Sequence, residues 1–112
     1  MAIEPSEFID VALALLKDEE SEAARRTAVG RAYYAAMLKA RDQAGITNES
    51  GSVHNDVISH YNGRKRSVAN RLSTLKDARS KVDYRTHQDV SLQEAKKAVT
   101  GAGRVLRDLD SL

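Results

Sequence analysis

Four polar residues that could support acid–base chemistry or anion binding lie close together late in the sequence: Arg79, Asp83, Tyr84 and His87. Arg79 and Asp83 are four residues apart, so their side chains would be neighbours on one face of a helix. A guanidinium there could bind two phosphate oxygens at once, because its donors form a planar fork. The same pair could equally form a surface ion pair worth about 0.5 kcal/mol, and the spacing does not separate these interpretations.

A second candidate for anion binding is a basic segment. Residues 64–85 contain eight basic and two acidic residues, whereas residues 1–24 contain seven acidic residues and one lysine. The basic segment begins with Arg64, Lys65 and Arg66, and this density of charge could attract a phosphate backbone. Alternatively, the acidic and basic faces complement each other within one bundle or across a dimer.

Motifs for metal and thiol chemistry are missing from the sequence. There is no cysteine, and the three histidines include His54 and His60, which are six residues apart. That spacing places them about 240° apart around a helix, so they do not share a face. The sequence also lacks a glycine-rich phosphate loop, a GxSxG elbow and an HExxH motif. We therefore predict no metal site and no cofactor.

The first half of the chain has the start and stop residues of two helices. Pro5 suits the first turn of a helix near 5–19, because its missing N–H is not needed there. Ser21 is a suitable N-cap for a second helix, and Gly45 is a suitable left-handed residue to end it. Eight alanines lie between residues 23 and 44, so this second helix can approach its neighbours closely. We expect it to be the central packing element.

The second half of the chain predicts three more helices. A short helix is expected over 53–62 and a longer one over about 65–83, followed by a polar loop over 84–90. Ser91 and Glu94 form a capping box that opens the last helix. No segment has the period-two alternation of a strand. The predicted fold is an all-α, up-and-down antiparallel bundle of four long helices plus one short helix.

Length and composition favour one small soluble domain over residues 1–112. The chain is 41% hydrophobic and 30% charged, which suits a single modest core. Its apolar stretches are far shorter than the ~20 residues of a membrane span. The acidic N-terminus lacks the basic region of a signal peptide. We expect a cytoplasmic protein that does not associate with a membrane.

Four segments, in order along the chain, resemble HEPN-domain proteins. Residues 24–36 read ARRTAVGRAYYAA, similar to the R-A-Y-Y-A stretch of the family's second helix, and residues 52–58 read SVHNDVI, similar to its "sHxxvi" segment. Residues 78–84 (ARSKVDY) resemble the "lRxxADY" helix end, and residues 91–95 (SLQEA) resemble the start of the last helix. The resemblance implies a helical bundle, usually a homodimer with its polar positions near a shared cleft. Many small members are paired with a minimal nucleotidyltransferase as a toxin–antitoxin system.

Three residues of the resembling segments are further candidates for such a cleft. Tyr33 continues the apolar stripe of its helix and is expected in the core, whereas Tyr34 points about 100° away. Tyr34, three residues after Arg31, could line the cleft or pack against a neighbouring helix. His54 starts the short helix, where it could face the cleft, cap the helix or pack in a dimer.

The sequence departs from the nuclease members of the family. These carry Arg-x(4–6)-His, in which the arginine would bind the phosphate and the histidine would assist attack by a 2′-hydroxyl. Four intervening residues after Arg79 lead to Tyr84, six lead to Thr86, and His87 follows only after seven. A tyrosine with its ordinary pKa of about 10 is a poor base at neutral pH. The motif is therefore not intact.

The leading hypothesis is a HEPN-type module that binds RNA or a nucleotide and has a degenerate RNase motif, acting as a homodimer. The first alternative is an active metal-independent endoribonuclease toxin, in which His87, or His54 of a second subunit, supplies the base beside Arg79. The second is a non-catalytic adaptor that recognises a protein through its acidic first helix, including Glu19 and Glu20. The predicted binding residues are Arg79, Asp83, Tyr84, His54, Arg31, Tyr34, Arg64, Lys65 and Arg66, and the predicted catalytic residues are Arg79 and His87.

Overall fold

The computed structural model describes residues 4–17, 21–47 and 51–112. Within these ranges the chain forms five helices and no strand: α1 (Pro5–Leu15), α2 (Glu22–Ala44), α3 (Val53–Asn62), α4 (Arg66–Tyr84) and α5 (Leu92–Asp110). The all-helical fold expected from the sequence is confirmed.

The predicted capping residues lie at both ends of α2 and at the start of α5. The Ser21 hydroxyl accepts a hydrogen bond of 3.0 Å from the backbone N–H of Ala24, which satisfies a free donor at the start of α2. Gly45 ends α2 in the left-handed region, with φ of 72°, where a side chain would be strained. Ser91 and Glu94 form the predicted capping box at the start of α5.

The first helix differs from the prediction. It was expected to reach residue 19, but α1 ends at Leu15 and Leu16 caps it; the last two positions of the predicted span, 18 and 19, lie outside the described residues. The acidic run that follows Lys17 is unfavourable near the negative end of a helix dipole, which accounts for an early stop. In the described chain, three helices are long and two are short, at 11 residues for α1 and 10 for α3.

Helix α2 is the centre of the fold, as its alanine content predicts. It packs against each of the other four helices, and its alanines from Ala28 to Ala40 are fully buried. Because alanine has only a methyl group, neighbouring helices come close enough to enclose larger side chains between them. Tyr33 of α2 is one of these enclosed side chains, with 2% of its surface exposed, as expected.

Helices α3 and α4 are fixed against α2 by polar contacts as well as by the core. The Tyr61 hydroxyl of α3 donates a buried hydrogen bond of 2.8 Å to the Ala40 carbonyl of α2. Near the other end of α2, Arg26 donates to the Val82 carbonyl of α4. The Tyr61 contact holds the last turn of α3 near Ala40, and His54 in its first turn bonds to Tyr33, in the same part of α2 that the last turns of α4 contact.

Candidate functional site

A surface cleft of about 430 Å³ lies where α2, the start of α3 and the end of α4 meet. Helix α2 forms its floor, because six of its residues face this side, and α3 and α4 contribute three more. The lining residues are Arg26, Thr27, Gly30, Arg31, Tyr33, Tyr34, His54, Arg79 and Asp83. Five of the residues predicted from the sequence to bind a ligand are among them: Arg31, Tyr34, His54, Arg79 and Asp83.

Arg79 lies between an aromatic ring and a carboxylate. Its guanidinium carbon is 5.6 Å from the centre of the Tyr33 ring, within the range of a cation–π contact. Its Nε lies 2.9 Å from Oδ2 of Asp83, so the ion pair expected from the i,i+4 spacing is present. The Arg79 side chain is 35% exposed, and within the described chain no acceptor bonds to its terminal nitrogens. The guanidinium is therefore both paired and open to the cleft.

Tyr33 links the arginine to a histidine. The Tyr33 hydroxyl is hydrogen-bonded to Nδ1 of His54, and the two rings are stacked with centroids 5.6 Å apart. Burial raises the pKa of Tyr33 to about 12, partly offset by the nearby charge of Arg79. Tyr33 therefore keeps its proton at neutral pH. The hydrogen bond occupies one nitrogen of His54 and leaves the other, Nε2, for a ligand.

The environment of His54 favours its neutral form. Burial lowers its pKa from the ordinary value of 6.5, and the positive charges of Arg79 and Lys76 lower it further. At neutral pH the imidazole is therefore uncharged, and its free nitrogen can donate or accept a proton according to the tautomer.

The outer part of the cleft combines a charge, a ring and open space. Arg31 is exposed, and Tyr34 is 49% exposed while packing edge-to-face on Phe8 of α1, with centroids 5.3 Å apart. Tyr34 therefore both lines the cleft and packs against a neighbouring helix, the two positions that the sequence left open. A Cβ built on Gly30 would meet no atom within 4 Å, so the floor of the cleft is open there.

Three lining residues were not singled out from the sequence: Arg26, Thr27 and Gly30. Thr27, Gly30 and Tyr34 are spaced i, i+3 and i+7 on α2, so a helical wheel drawn through Tyr34 finds two of them. Arg26 has a different use, because it donates to the carbonyls of Val82 and Gln88 and pairs with Glu22. Arg26 therefore holds the loop between α4 and α5 in place. Sequence spacing could not predict these contacts, because the residues are more than 50 positions apart.

The remaining predicted site residues lie outside this cleft. Tyr84 is the last residue of α4 and is 75% exposed, and His87 is exposed in the loop after it. The basic cluster Arg64, Lys65 and Arg66 lies at the start of α4. Arg66 precedes Arg79 by 13 residues, or roughly 20 Å along the helix axis. The cluster and the cleft are therefore separate basic regions.

No family model, curated protein or solved structure matches the chain. Within the described ranges no three histidine, aspartate or glutamate side chains come together in a way that could hold a metal ion. None of the helices described has both the length and the apolar character needed to cross a bilayer.

Proposed function

We propose that the protein is a HEPN-type module that binds RNA or a nucleotide through a phosphate group, and that this phosphate binds in the cleft at Arg79. One observation carries the proposal: a partly exposed guanidinium faces an open cleft with its terminal nitrogens unbonded to the described chain. Two such nitrogens can bind two phosphate oxygens, which a lysine in the same place could not do.

The balance of charge in the cleft also supports an anionic ligand. Arg31 adds an exposed positive charge, and Arg26 adds one that is largely occupied by carbonyl groups and Glu22. Asp83 is the opposing charge at the cleft wall, and it neutralises part of Arg79. Binding at physiological salt is therefore expected to be modest and to weaken as salt rises.

His54 favours a second candidate function, metal-independent RNA cleavage. A neutral imidazole and a guanidinium line the same cleft in one chain, and His87 does not line it. In this reaction His54 is in the tautomer whose Nδ1–H donates to the Tyr33 hydroxyl, so its Nε2 takes the proton of a ribose 2′-hydroxyl, whose oxygen then attacks the phosphorus. The bond from phosphorus to the 5′-oxygen breaks, and that oxygen takes a proton from the His54 imidazolium through water, leaving a 2′,3′-cyclic phosphate, a 5′-hydroxyl and a neutral imidazole.

The proposed setting follows the resemblance of the four sequence segments. It is a cytoplasmic homodimer of up-and-down antiparallel bundles, partnered by a minimal nucleotidyltransferase in a toxin–antitoxin or related defence system. The contacts of α4 support the antiparallel arrangement, because Arg26 near the start of α2 bonds to Val82 near the end of α4. Arg71 in the first half of α4 likewise pairs with Asp108 near the end of α5.

A binding assay with a matched control tests the main proposal. We expect a fluorescein-labelled single-stranded RNA, at about 50 mM salt, to bind Arg79→Ala about tenfold or more weakly than the unmodified protein. Arg104→Ala removes the same charge from an exposed position on α5 outside the cleft and should change binding by less than about twofold. Equal effects of the two variants would mean that only net charge matters, and the proposal would fail.

Cleavage is tested with the same RNA in EDTA. If fragments form and are lost in both Arg79→Ala and His54→Gln but not in His87→Gln, the protein is an enzyme that uses the second mechanism. Intact RNA with retained binding supports a module that only binds. If RNA neither binds nor is cleaved, the adaptor hypothesis leads; its test, charge reversal at Glu19 and Glu20, concerns positions outside the described residues.

A further inference from the structure

Asp83 is an unexpected residue in a cleft proposed to hold phosphate. Among the lining residues that the structure describes it is the one carboxylate, and it lies beside Arg79, where a phosphate would bind. A carboxylate there repels the ligand and competes with it for the guanidinium. Arg79 does not depend on Asp83 alone for its place, because it also packs over the Tyr33 ring. Holding Arg79 in place is therefore not a sufficient explanation for a carboxylate at this position.

The two oxygens of Asp83 differ in their surroundings. Oδ2 lies 2.9 Å from Nε of Arg79, whereas Oδ1 makes no hydrogen bond within the part of the chain that the structure describes. An ionised carboxylate can only accept hydrogen bonds, so Oδ1 suits a ligand group that carries an O–H or N–H. The side chain is 41% exposed, and a ligand can therefore reach it.

We infer that Asp83 accepts a hydrogen bond from a ribose hydroxyl next to the phosphate held by Arg79, so that the cleft prefers ribonucleotides to deoxyribonucleotides. The inference rests on the proposed function. In a ribonucleotide the hydroxyl donor and the phosphate are attached to one sugar, and the cleft places an acceptor and a guanidinium side by side in the same way. The 2′-hydroxyl is the group that distinguishes RNA from DNA.

The expected preference is moderate because the carboxylate is partly solvated. A deoxyribose leaves Oδ1 facing water rather than an apolar wall, so the penalty is smaller than in a closed pocket. We expect the unmodified protein to bind RNA about tenfold more tightly than DNA of the same length.

Three labelled strands of one sequence test the inference: RNA, 2′-O-methyl RNA, and DNA that contains uracil in place of thymine. They differ only at the 2′ position. The 2′-O-methyl strand keeps the sugar pucker of RNA but has lost the donor, so it should bind as weakly as the DNA. In Asp83→Ala the three strands should bind equally, and the DNA should bind no more weakly than it does to the unmodified protein. Asp77→Ala, which removes an exposed charge from α4 outside the cleft, should keep the preference for RNA.

The outcomes separate this inference from the proposed function. The inference is wrong if the unmodified protein binds all three strands equally. It is also wrong if Asp83→Ala weakens all three by the same factor, and Asp83 is then a positioning residue. RNA binding through Arg79 would stand in both cases. If none of the strands binds, the proposed function fails and the inference fails with it.

Discussion

At the scale of single residues, the site depends on the two interactions of the Arg79 guanidinium, with the Tyr33 ring and with the Asp83 carboxylate. The guanidinium has a ring on one side and a carboxylate at Nε, and both hold its plane in place before any ligand arrives. A preordered fork loses less side-chain entropy on binding than a freely rotating one. Asp83 also competes with the phosphate for the guanidinium. The contact that orders the Arg79 side chain therefore lowers its affinity for the phosphate.

Some of these residue contacts follow from spacing and others do not. The Arg79–Asp83 pair could be predicted because residues four apart are neighbours on one face of a helix. The contacts of Tyr33 with His54 and Arg79 join residues 21 and 46 positions apart in sequence, and only the packing of α3 and α4 on α2 creates them. The sequence therefore predicts His54 and Arg79 as site residues but does not show that Tyr33 contacts both of them.

The lowered pKa of His54 predicts how stability depends on pH. Between the lowered pKa and 6.5 the unfolded state binds more protons than the folded state, so the free energy of unfolding rises with pH through this window and levels off above it. Replacing His54 by glutamine should flatten this rise. The measurement is urea unfolding at about pH 5.5 and 7.5, with His87→Gln as the control.

This range avoids the two carboxylates of the described residues whose pKa values are lowered, Glu22 and Glu94. Their stabilisation is present above their ordinary value of 4.5 and is lost as pH falls below it. An equal pH dependence of the unfolding free energy in His54→Gln and the unmodified protein would contradict the environment described for His54.

At the scale of helices, α2 serves both the core and the cleft. Its alanines bury one face, while Thr27, Gly30 and Tyr34 leave another face open to the cleft. The two ends of α2 and the start of α5 were predictable because caps are local signals. The early end of α1 was not, because the prediction followed the apolar stripe and gave too little weight to the acidic run after it.

Replacing Gly30 by alanine should change the stability of the fold and the affinity for RNA in opposite directions. Alanine is a better helix former than glycine, and a Cβ at this position meets no atom, so Gly30→Ala should raise the free energy of unfolding by about 1 kcal/mol. The added methyl occupies the cleft floor and should weaken RNA binding several-fold. Chemical unfolding and anisotropy on the same sample measure the two effects.

Gly103→Ala is the matched control for this change. Gly103 is also half-buried within a helix, and a Cβ there meets nothing within 4 Å, so the same gain in stability is expected with unchanged binding. Weaker binding by both variants, or by neither, would mean that the cleft floor does not receive a ligand.

At the scale of the whole molecule, the buried alanines limit how two copies can associate. The alanine-rich face of α2 is enclosed within the chain and is not available to a second copy. An alternative surface is the groove between α1 and α5, where Leu13 is 51% exposed beside Leu16 and Val99. A second copy covering this groove would remove apolar surface from water.

Light scattering after gel filtration tests this interface. The protein should have a mass of about 25 kDa, twice the 12.3 kDa of one chain. Leu13→Arg should reduce the mass to that of one chain, because Lys17 and Lys96 line the same groove and a third positive charge buried there has no partner. Leu112→Arg, at an exposed position of the C-terminus, should leave the mass unchanged. A dimer that survives Leu13→Arg would place the interface elsewhere.

Nuclear magnetic resonance of the arginine and histidine side chains tests the binding cleft most directly. During titration with the labelled RNA, the Nε–H signal of Arg79 and the ring signals of His54 should shift together and give one dissociation constant. The Nε–H signal of Arg104 should not move. Shifts at Arg64 and Arg66, with Arg79 and His54 unchanged, would show that RNA meets only the basic start of α4 and would contradict the account.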